Sequence, residues 1–306
     1  MSIEIIKTPY PLGHEIKNVD LRNVDEETFS QIEAAYDQYG VVVIRNQNLT
    51  PQEQVNFSKR FAKLDRFVLK EFNLPELPEI FVVSNIIQDG KPLGMDDAGR
   101  YWHSDMWITQ TPPRGSILYA KEVPLNDQGK ALGDTCFAST ADAYDTLPDS
   151  LKEKLENLSA VFSSRLYAQF VGHDKPKDDL HSKGIVQAQK KLEDLLITHK
   201  LVRIHPRTGR KCLYMVEGVV SHIVGMHEQE SQALIAQLLK HTTRESAVYR
   251  HSWSVGDLVM WDNYSAIHNA IGDFKLPQRR LMHRTTLSLS KSGVISEPQE
   301  KSMASM

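Results

Sequence analysis

The chain has 306 residues, a formal net charge of −3 and an apolar fraction of 41%, the profile of an ordinary globular protein. No basic block or basic stripe interleaved with aromatics is present, so nucleic-acid binding is not expected. There are two cysteines, Cys136 and Cys212, and they form no C-x-x-C arrangement. Neither a disulfide framework nor a structural zinc site is expected, and a reducing cytoplasm fits. No signal peptide is expected from the N-terminus, and no apolar stretch reaches membrane-spanning length.

In chain order, residues 25–39 carry helical periodicity (Phe29, Ile32, Ala35, Tyr36) and end at Gly40, a good stop. Residues 41–45 form a short continuous apolar run, a strand buried on both faces. Thr50, Pro51 and Glu53 spell a helix start with a capping box, and that helix is expected to run to about Leu64. Residues 80–84 and 116–123 read as strands. Between them, 88–100 is rich in Gly and Asp and is expected to be a flexible, lid-like loop.

Residues 139–147 and 149–158 are expected helices broken by Pro148, followed by a strand at 159–165. Residues 170–183 read as a polar surface insertion and 185–198 as a charged amphipathic helix. A hairpin at 202–216 turns at Arg207-Thr-Gly-Arg210. A helix at 229–239 and strands at 248–253, 258–262 and 281–289 complete the pattern, before a polar tail after Ser290. Many short strands with supporting helices point to a mainly β fold with peripheral helices, a double-stranded β-helix or cupin-like jelly roll. The expected organisation is one domain over 1–290, with a mobile insertion near 166–200 and a tail at 291–306.

Two separated motifs carry chemistry. The first is YWHSD at 101–105, and the second is WDNYSAIH at 261–268. An H-x-D pair plus a distant histidine supplies the ligands of a 2-His-1-carboxylate triad, which holds Fe(II) on one face and leaves the other open. In extended backbone His103 and Asp105 point the same way while Ser104 points away. Further on, Arg280 and Arg284 share one strand parity and His283 takes the other. Two guanidinium groups facing a barrel interior each need an anion, either a bound acid or a structural salt-bridge partner. Planar guanidinium matches carboxylate or sulfonate oxygens in pairs.

The ordered blocks YWHSDMW (101–107), TPPRGSILYAKEVP (111–124), GDT (133–135), LVRIHPRTGRK (201–211), GDLVMWD (256–262) and LPQRRLMHR (276–284) resemble the taurine dioxygenase / 2,4-dichlorophenoxyacetate dioxygenase family. The first hundred residues match through their helix and strand pattern. The resemblance implies an Fe(II)- and 2-oxoglutarate-dependent dioxygenase that couples decarboxylation of 2-oxoglutarate, to succinate and CO2, with oxidation of a substrate C–H bond by O2. It implies His103, Asp105 and His268 as iron ligands, and Thr135 and Arg280 on the distal carboxylate of 2-oxoglutarate. It also implies Arg284 on the acidic group of a small carboxylate, sulfonate or sulfate substrate. Trp107 shares parity with Asp105 and is a candidate wall of the substrate pocket, with a simple core role as the equal alternative. Desaturation, oxidative cleavage or biosynthetic tailoring would use the same residues. A homo-oligomer, dimer or tetramer, is a further expectation.

Departures from the family sharpen the reading. Taurine oxidisers grip the sulfonate with a histidine that is missing from RFAKLDRFVLK (60–70), which counts against taurine; Arg66 or Lys70 are the nearby cations. Asp105 is retained, which counts against halogenation. Two other classes remain to be separated: a non-catalytic cupin-like binding module and a zinc hydrolase using the same ligands. The Thr135/Arg280 pair has no task in the second. His205 and His222 read as structural groups, with His222 a secondary candidate for pocket lining.

Overall fold

A computed structural model describes residues 3–67, 69–96, 99–172 and 195–289. The chain opens with β1 (Glu4–Ile6), β2 (His14–Lys17), α1 (Glu26–Tyr39), β3 (Val41–Ile44), α2 (Pro51–Lys59) and β4 (Leu64–Asp65). Next come β5 (Asn73–Leu74), β6 (Leu77–Ser84), β7 (Ile87–Gln88), β8 (Lys91–Pro92), β9 (Gly115–Glu122) and β10 (Thr135–Ser139). The middle of the chain supplies α3 (Thr140–Asp145), α4 (Asp149–Leu155), β11 (Ser159–Ser163), α5 (Ser164–Gly172), β12 (Leu196–Lys200), β13 (Val202–Ile204), β14 (Lys211–Leu213) and β15 (Val220–Ile223). The last elements are α6 (Glu228–Thr242), β16 (Val248–His251), β17 (Leu258–Asp262), β18 (Ala266–Ala270) and β19 (Leu281–Leu287).

The large sheet runs β1-β2-β3-β17-β9-β19-β6-β5, with β4 alongside β19, and a small sheet runs β16-β10-β18. Alternation sorts the large sheet's side chains into two cores. Val42, Ile44, Ile80, Val82, Ile117, Tyr119, Leu258 and Met260 pack with α1 and α2. Their neighbours Val41, Val43, Phe81, Val83, Leu118, Ala120, Val259 and Trp261 face Phe137 of the small sheet. Phe137 and Trp261 bring their rings to 5.8 Å across that interior. This is the jelly-roll arrangement, with α1 and α2 covering the outer face of the large sheet. A third cluster, containing Tyr101, Trp107, Phe162, Leu213 and Leu238, joins α3, α6 and the sheet β12-β11-β15 beside the interior.

Local chemistry explains the helix boundaries. Asp25 caps α1 by accepting from Thr28 N at 2.7 Å, and Thr50 with Glu53 forms a full capping box on α2. α2 stops at Lys59 rather than near Leu64, because Leu64 and Asp65 pair with Leu287 and Thr286 of β19. The 88–100 loop is partly ordered by the β7–β8 hairpin and by a bridge from Met95 to Val83. The strand at 159 ends at Ser163, and Ser164 starts α5, whose Phe170 packs on Tyr101. Leu196–Lys200 is a strand paired with β11, where a helix was expected to reach Thr198; pairing with β11 outweighs the local helical pattern. Of the expected insertion, residues 173–194 lie outside the described residues, as does the polar tail from 290 onward. Among the described residues no helix is long and apolar enough to cross a membrane.

Candidate active site

His103 sits just before the turn at 105–108, and its backbone bridges β18. His103 N donates to His268 O at 3.0 Å, and His268 N donates to His103 O at 2.8 Å. Two residues 165 positions apart are thereby fixed as direct antiparallel neighbours, with rings 4.1 Å apart. Asp105 brings Oδ1 to 3.8 Å from His103 Nε2 and 3.9 Å from His268 Nε2. One ligand atom from each of the three lies within 4.8 Å of the others, and all three residues are buried.

The hydrogen bonds around the trio direct its free atoms inward. His103 Nδ1 meets Tyr101 O at 2.8 Å, which assigns that nitrogen the proton and leaves the Nε2 lone pair toward Asp105. Asp105 Oδ2 accepts from Ser116 Oγ at 2.7 Å and from Trp261 Nε1 at 3.2 Å, so Oδ1 is the oxygen left facing the imidazoles. Arg284 donates to that Oδ1 at 3.1 Å.

Electrostatics keep the trio in its ligating protonation states. Burial would raise the Asp105 carboxyl, but Arg284 and the imidazoles of His268 and His103 outweigh it and hold it well below the usual range. Burial lowers both histidines, and for His268 the neighbouring His103 adds to the effect. Two imidazoles lowered by burial and one carboxylate converge among buried side chains, and the donor set fits a divalent iron ion.

Arg280 is a second buried cation, and its Nε has no hydrogen-bond partner. No carboxylate among the described residues forms a salt bridge with it; the adjacent Arg279 pairs with Glu122 and the nearby Asp134 with Arg250. Burial and the charge of Arg100 push the Arg280 guanidinium down to about 10. The guanidinium carbon stands 5.7 Å from the Phe274 ring centre. A side chain at Gly133 would come within 3.3 Å of Arg280 Nε, so glycine there lets the guanidinium reach the start of β10, where Thr135 stands. A buried guanidinium without a carboxylate partner among the described residues has the chemistry to take up an anion.

The parity reading of β19 holds in space. Met282 joins the interior core with Trp261 and Leu118, and Leu281 and Leu287 join the helix-side core. Arg284 reaches Asp105 and lies 4.7 Å from the Phe81 ring centre, with Phe67 at 5.8 Å. Trp107 needs a correction: Met106 takes a positive φ of 53° and the backbone turns, so strand parity does not extend from Asp105. Trp107 is buried against Phe162 and Tyr167, and its carbonyl accepts from His199 Nε2 at 3.0 Å. His205 bonds Asp262 Oδ2 at 3.2 Å, a structural contact, and His222 is exposed on β15 away from the interior. Arg66 and Lys70 are exposed.

The sequence reading missed Ser116, Trp261 and Asn263. The first two were accessible through alternation, since both lie on the interior parity of their strands. Asn263 had no such signal. It is 1% exposed, takes Asp105 N on its Oδ1 at 3.2 Å, takes Ser104 Oγ on its carbonyl at 2.9 Å and donates to Pro113 O at 3.1 Å, clamping the H-x-D segment to the β17–β18 turn.

A jelly roll carrying this buried His-x-Asp and distant His trio is the architecture of the non-haem iron, 2-oxoglutarate-dependent oxygenases. Residues 4–286 match the family described as "Taurine catabolism dioxygenase TauD, TfdA family". An alpha-ketoglutarate-dependent 2,4-dichlorophenoxyacetate dioxygenase of Cupriavidus pinatubonensis is 32% identical over 282 residues, covering 89% of this chain and 92% of that protein. An alpha-ketoglutarate-dependent sulfate ester dioxygenase of Pseudomonas putida is 31% identical, covering 90% and 86%. Among solved structures, a putative alpha-ketoglutarate-dependent taurine dioxygenase from Burkholderia xenovorans superposes with a TM-score of 0.75 at 29% identity, covering 94% of this chain and 90% of that one. AAD-2 in complex with Mn(II) and N-oxalylglycine gives 0.72 at 27%, covering 94% and 98%. The chain belongs to the TauD/TfdA family. It is a dioxygenase that uses Fe(II), 2-oxoglutarate and O2.

Proposed function

We propose that the enzyme oxidises a C–H bond of a small acid with an apolar body, and that Arg284 binds the acid. The supporting observation is the Arg284 guanidinium, buried beside the trio and flanked by the Phe67 and Phe81 rings. A cation lined by phenyl rings favours an anion carried on a hydrophobic group. Relatives named for phenoxy acids and for sulfate esters support the same range.

In this proposal His103, Asp105 and His268 hold Fe(II), which when bound supplies the activation of O2 and the decarboxylation of 2-oxoglutarate to succinate and CO2. The protein's own task is placement. Ser116 and Trp261 fix Asp105 so that one oxygen serves as ligand. Tyr101 O fixes the tautomer of His103. Arg280 and Thr135 anchor the far carboxylate of 2-oxoglutarate. Arg284 sets which substrate C–H lies nearest the metal, and a misplacement of about 1 Å there costs on the order of a hundredfold in rate.

The two buried free cysteines, Cys136 and Cys212, support a reducing cytoplasm as the site of action. A dimer or tetramer is part of the same proposal, and light scattering of the purified protein checks it.

The test is Arg284→Ala beside Arg284→Lys with the preferred acid. The alanine variant is expected to raise KM for the acid at least thirtyfold, with the affinity for 2-oxoglutarate nearly unchanged, and lysine to recover part of the loss. An unchanged KM in Arg284→Ala contradicts the assignment.

A further inference from the structure

Thr135 holds an unspent donor. Its hydroxyl accepts from Trp253 Nε1 at 3.1 Å, and among the described residues it donates to nothing. Thr135 is a buried residue, 3% exposed, so water does not readily take the proton. An indole N–H can only donate, and a hydroxyl has one proton and two lone pairs. With one lone pair engaged by Trp253, the O–H bond is steered away from the indole. The Thr135 backbone is paired with His251 on one side and Ala270 on the other, so the residue itself cannot turn.

Trp253 is a rigid donor. It is 1% exposed, packs with Phe137, Trp261 and Met282, and meets the His251 ring edge-on at 4.5 Å. A core tryptophan needs a partner for its N–H, and this one takes it from the residue whose proton the anion cradle needs.

We propose that Trp253 is a positioning residue for the co-substrate: its indole N–H orients the Thr135 hydroxyl so that the hydroxyl donates to the distal carboxylate held by Arg280. The inference rests on the reading of Thr135 and Arg280 given above. It adds a residue that never touches the co-substrate, acts only through Thr135 and has no role in holding the metal.

The test is the affinity of the Mn(II)-loaded protein for N-oxalylglycine, a non-reacting 2-oxoglutarate analogue, measured by calorimetry. The variants are Trp253→Phe, Thr135→Val, Thr135→Ser, Arg280→Ala, and Trp253→Phe combined with each threonine change. Trp253→Phe is expected to weaken binding about three- to tenfold, the worth of one oriented hydrogen bond. The same change is expected to weaken Thr135→Ser similarly and Thr135→Val by less than twofold, because without a hydroxyl there is nothing to orient. Benzothienylalanine at position 253 keeps the bicyclic outline and deletes only the N–H, so it gives the same reading should phenylalanine unsettle the core. The inference is overturned if Trp253→Phe and the benzothienylalanine protein both bind within twofold of the parent, or if the loss is equally large in Thr135→Val. If Arg280→Ala and Thr135→Val leave affinity unchanged, the cradle itself is wrongly assigned.

Discussion

Replacing Arg280 by methionine is expected to move stability and function in opposite directions. The guanidinium is fully buried, lacks a carboxylate partner among the described residues and is pushed down to about 10 from an ordinary 12.5. That depression corresponds to about 3 kcal/mol of unfavourable interaction for the charged form. Methionine fills a similar volume without charge and suits a site already bordered by Phe274. The ligand-free variant should therefore unfold later, by a few kcal/mol at most in urea and several degrees in a thermal scan. With 2-oxoglutarate the order reverses. The parent gains RT ln(1 + [L]/Kd), about 2.7 kcal/mol at a hundred times Kd, and the variant gains almost nothing. Losing one charge-assisted contact to a buried carboxylate costs about 2–5 kcal/mol, or roughly thirty- to several-thousandfold in affinity. Paired melts with and without metal-supported co-substrate read both effects. A variant less stable than the parent without ligand, yet equally stabilised by 2-oxoglutarate, refutes the cradle.

Three other expectations follow from the same contacts. Ser116→Ala and Trp261→Phe each remove a donor from Asp105 Oδ2, and together they should weaken Fe(II) or Mn(II) binding about ten- to a hundredfold, read by competition with a chelator; unchanged affinity would mean Asp105 is oriented by something else. Asn263→Ala leaves Asp105 N without its side-chain acceptor and should destabilise the protein by about 1–3 kcal/mol while lowering metal affinity, so a loss of stability alone would limit Asn263 to folding. His199 and His283 are both lowered to about 4, chiefly by burial, with Lys121 adding to the effect at His283. The unfolded chain binds these protons near 6.5 and the folded chain only near 4, so stability falls as pH drops below 6.5. Each histidine accounts for about 2 kcal/mol by pH 5 and about 3 by pH 4. His283→Gln should shrink the difference in urea stability between pH 7 and pH 5 by about 2 kcal/mol, and an unchanged difference would show that His283 is not held neutral.

The shared facing of His103 with Asp105, and of Met282 with Arg284, was legible in the sequence because strand parity is a local rule. Arg280, Met282 and Arg284 could be sorted without coordinates, and Met282 and Arg284 fall on the interior face. The caps of α1 and α2 were legible for a similar reason, since Asp25, Thr50 and Glu53 act within four residues. What the sequence did not disclose depends on pairing partners far away in the chain. Ala266–Ala270 contains Asn and Ala and lacks a β-rich run, yet it is a strand because β10 and His103 supply its hydrogen bonds. Leu196–Lys200 follows a helical pattern but is claimed by β11. Asn263 and Trp253 owe their roles to side-chain bonds reaching Asp105 and Thr135, 158 and 118 positions away. Strand parity does not carry from Asp105 to Trp107, because Met106 turns the backbone between them.

The most direct test of the central claim is succinate release by Fe(II)-loaded protein with 2-oxoglutarate across a panel of phenoxy acids, alkyl sulfates, small sulfonates and N-substituted amino acids, beside His103→Ala. The account predicts strong stimulation by one acid class with an apolar body, weak or no stimulation by taurine, and no release from His103→Ala. Equal release from His103→Ala and the parent, or none from iron-replete parent with any acid, would contradict it.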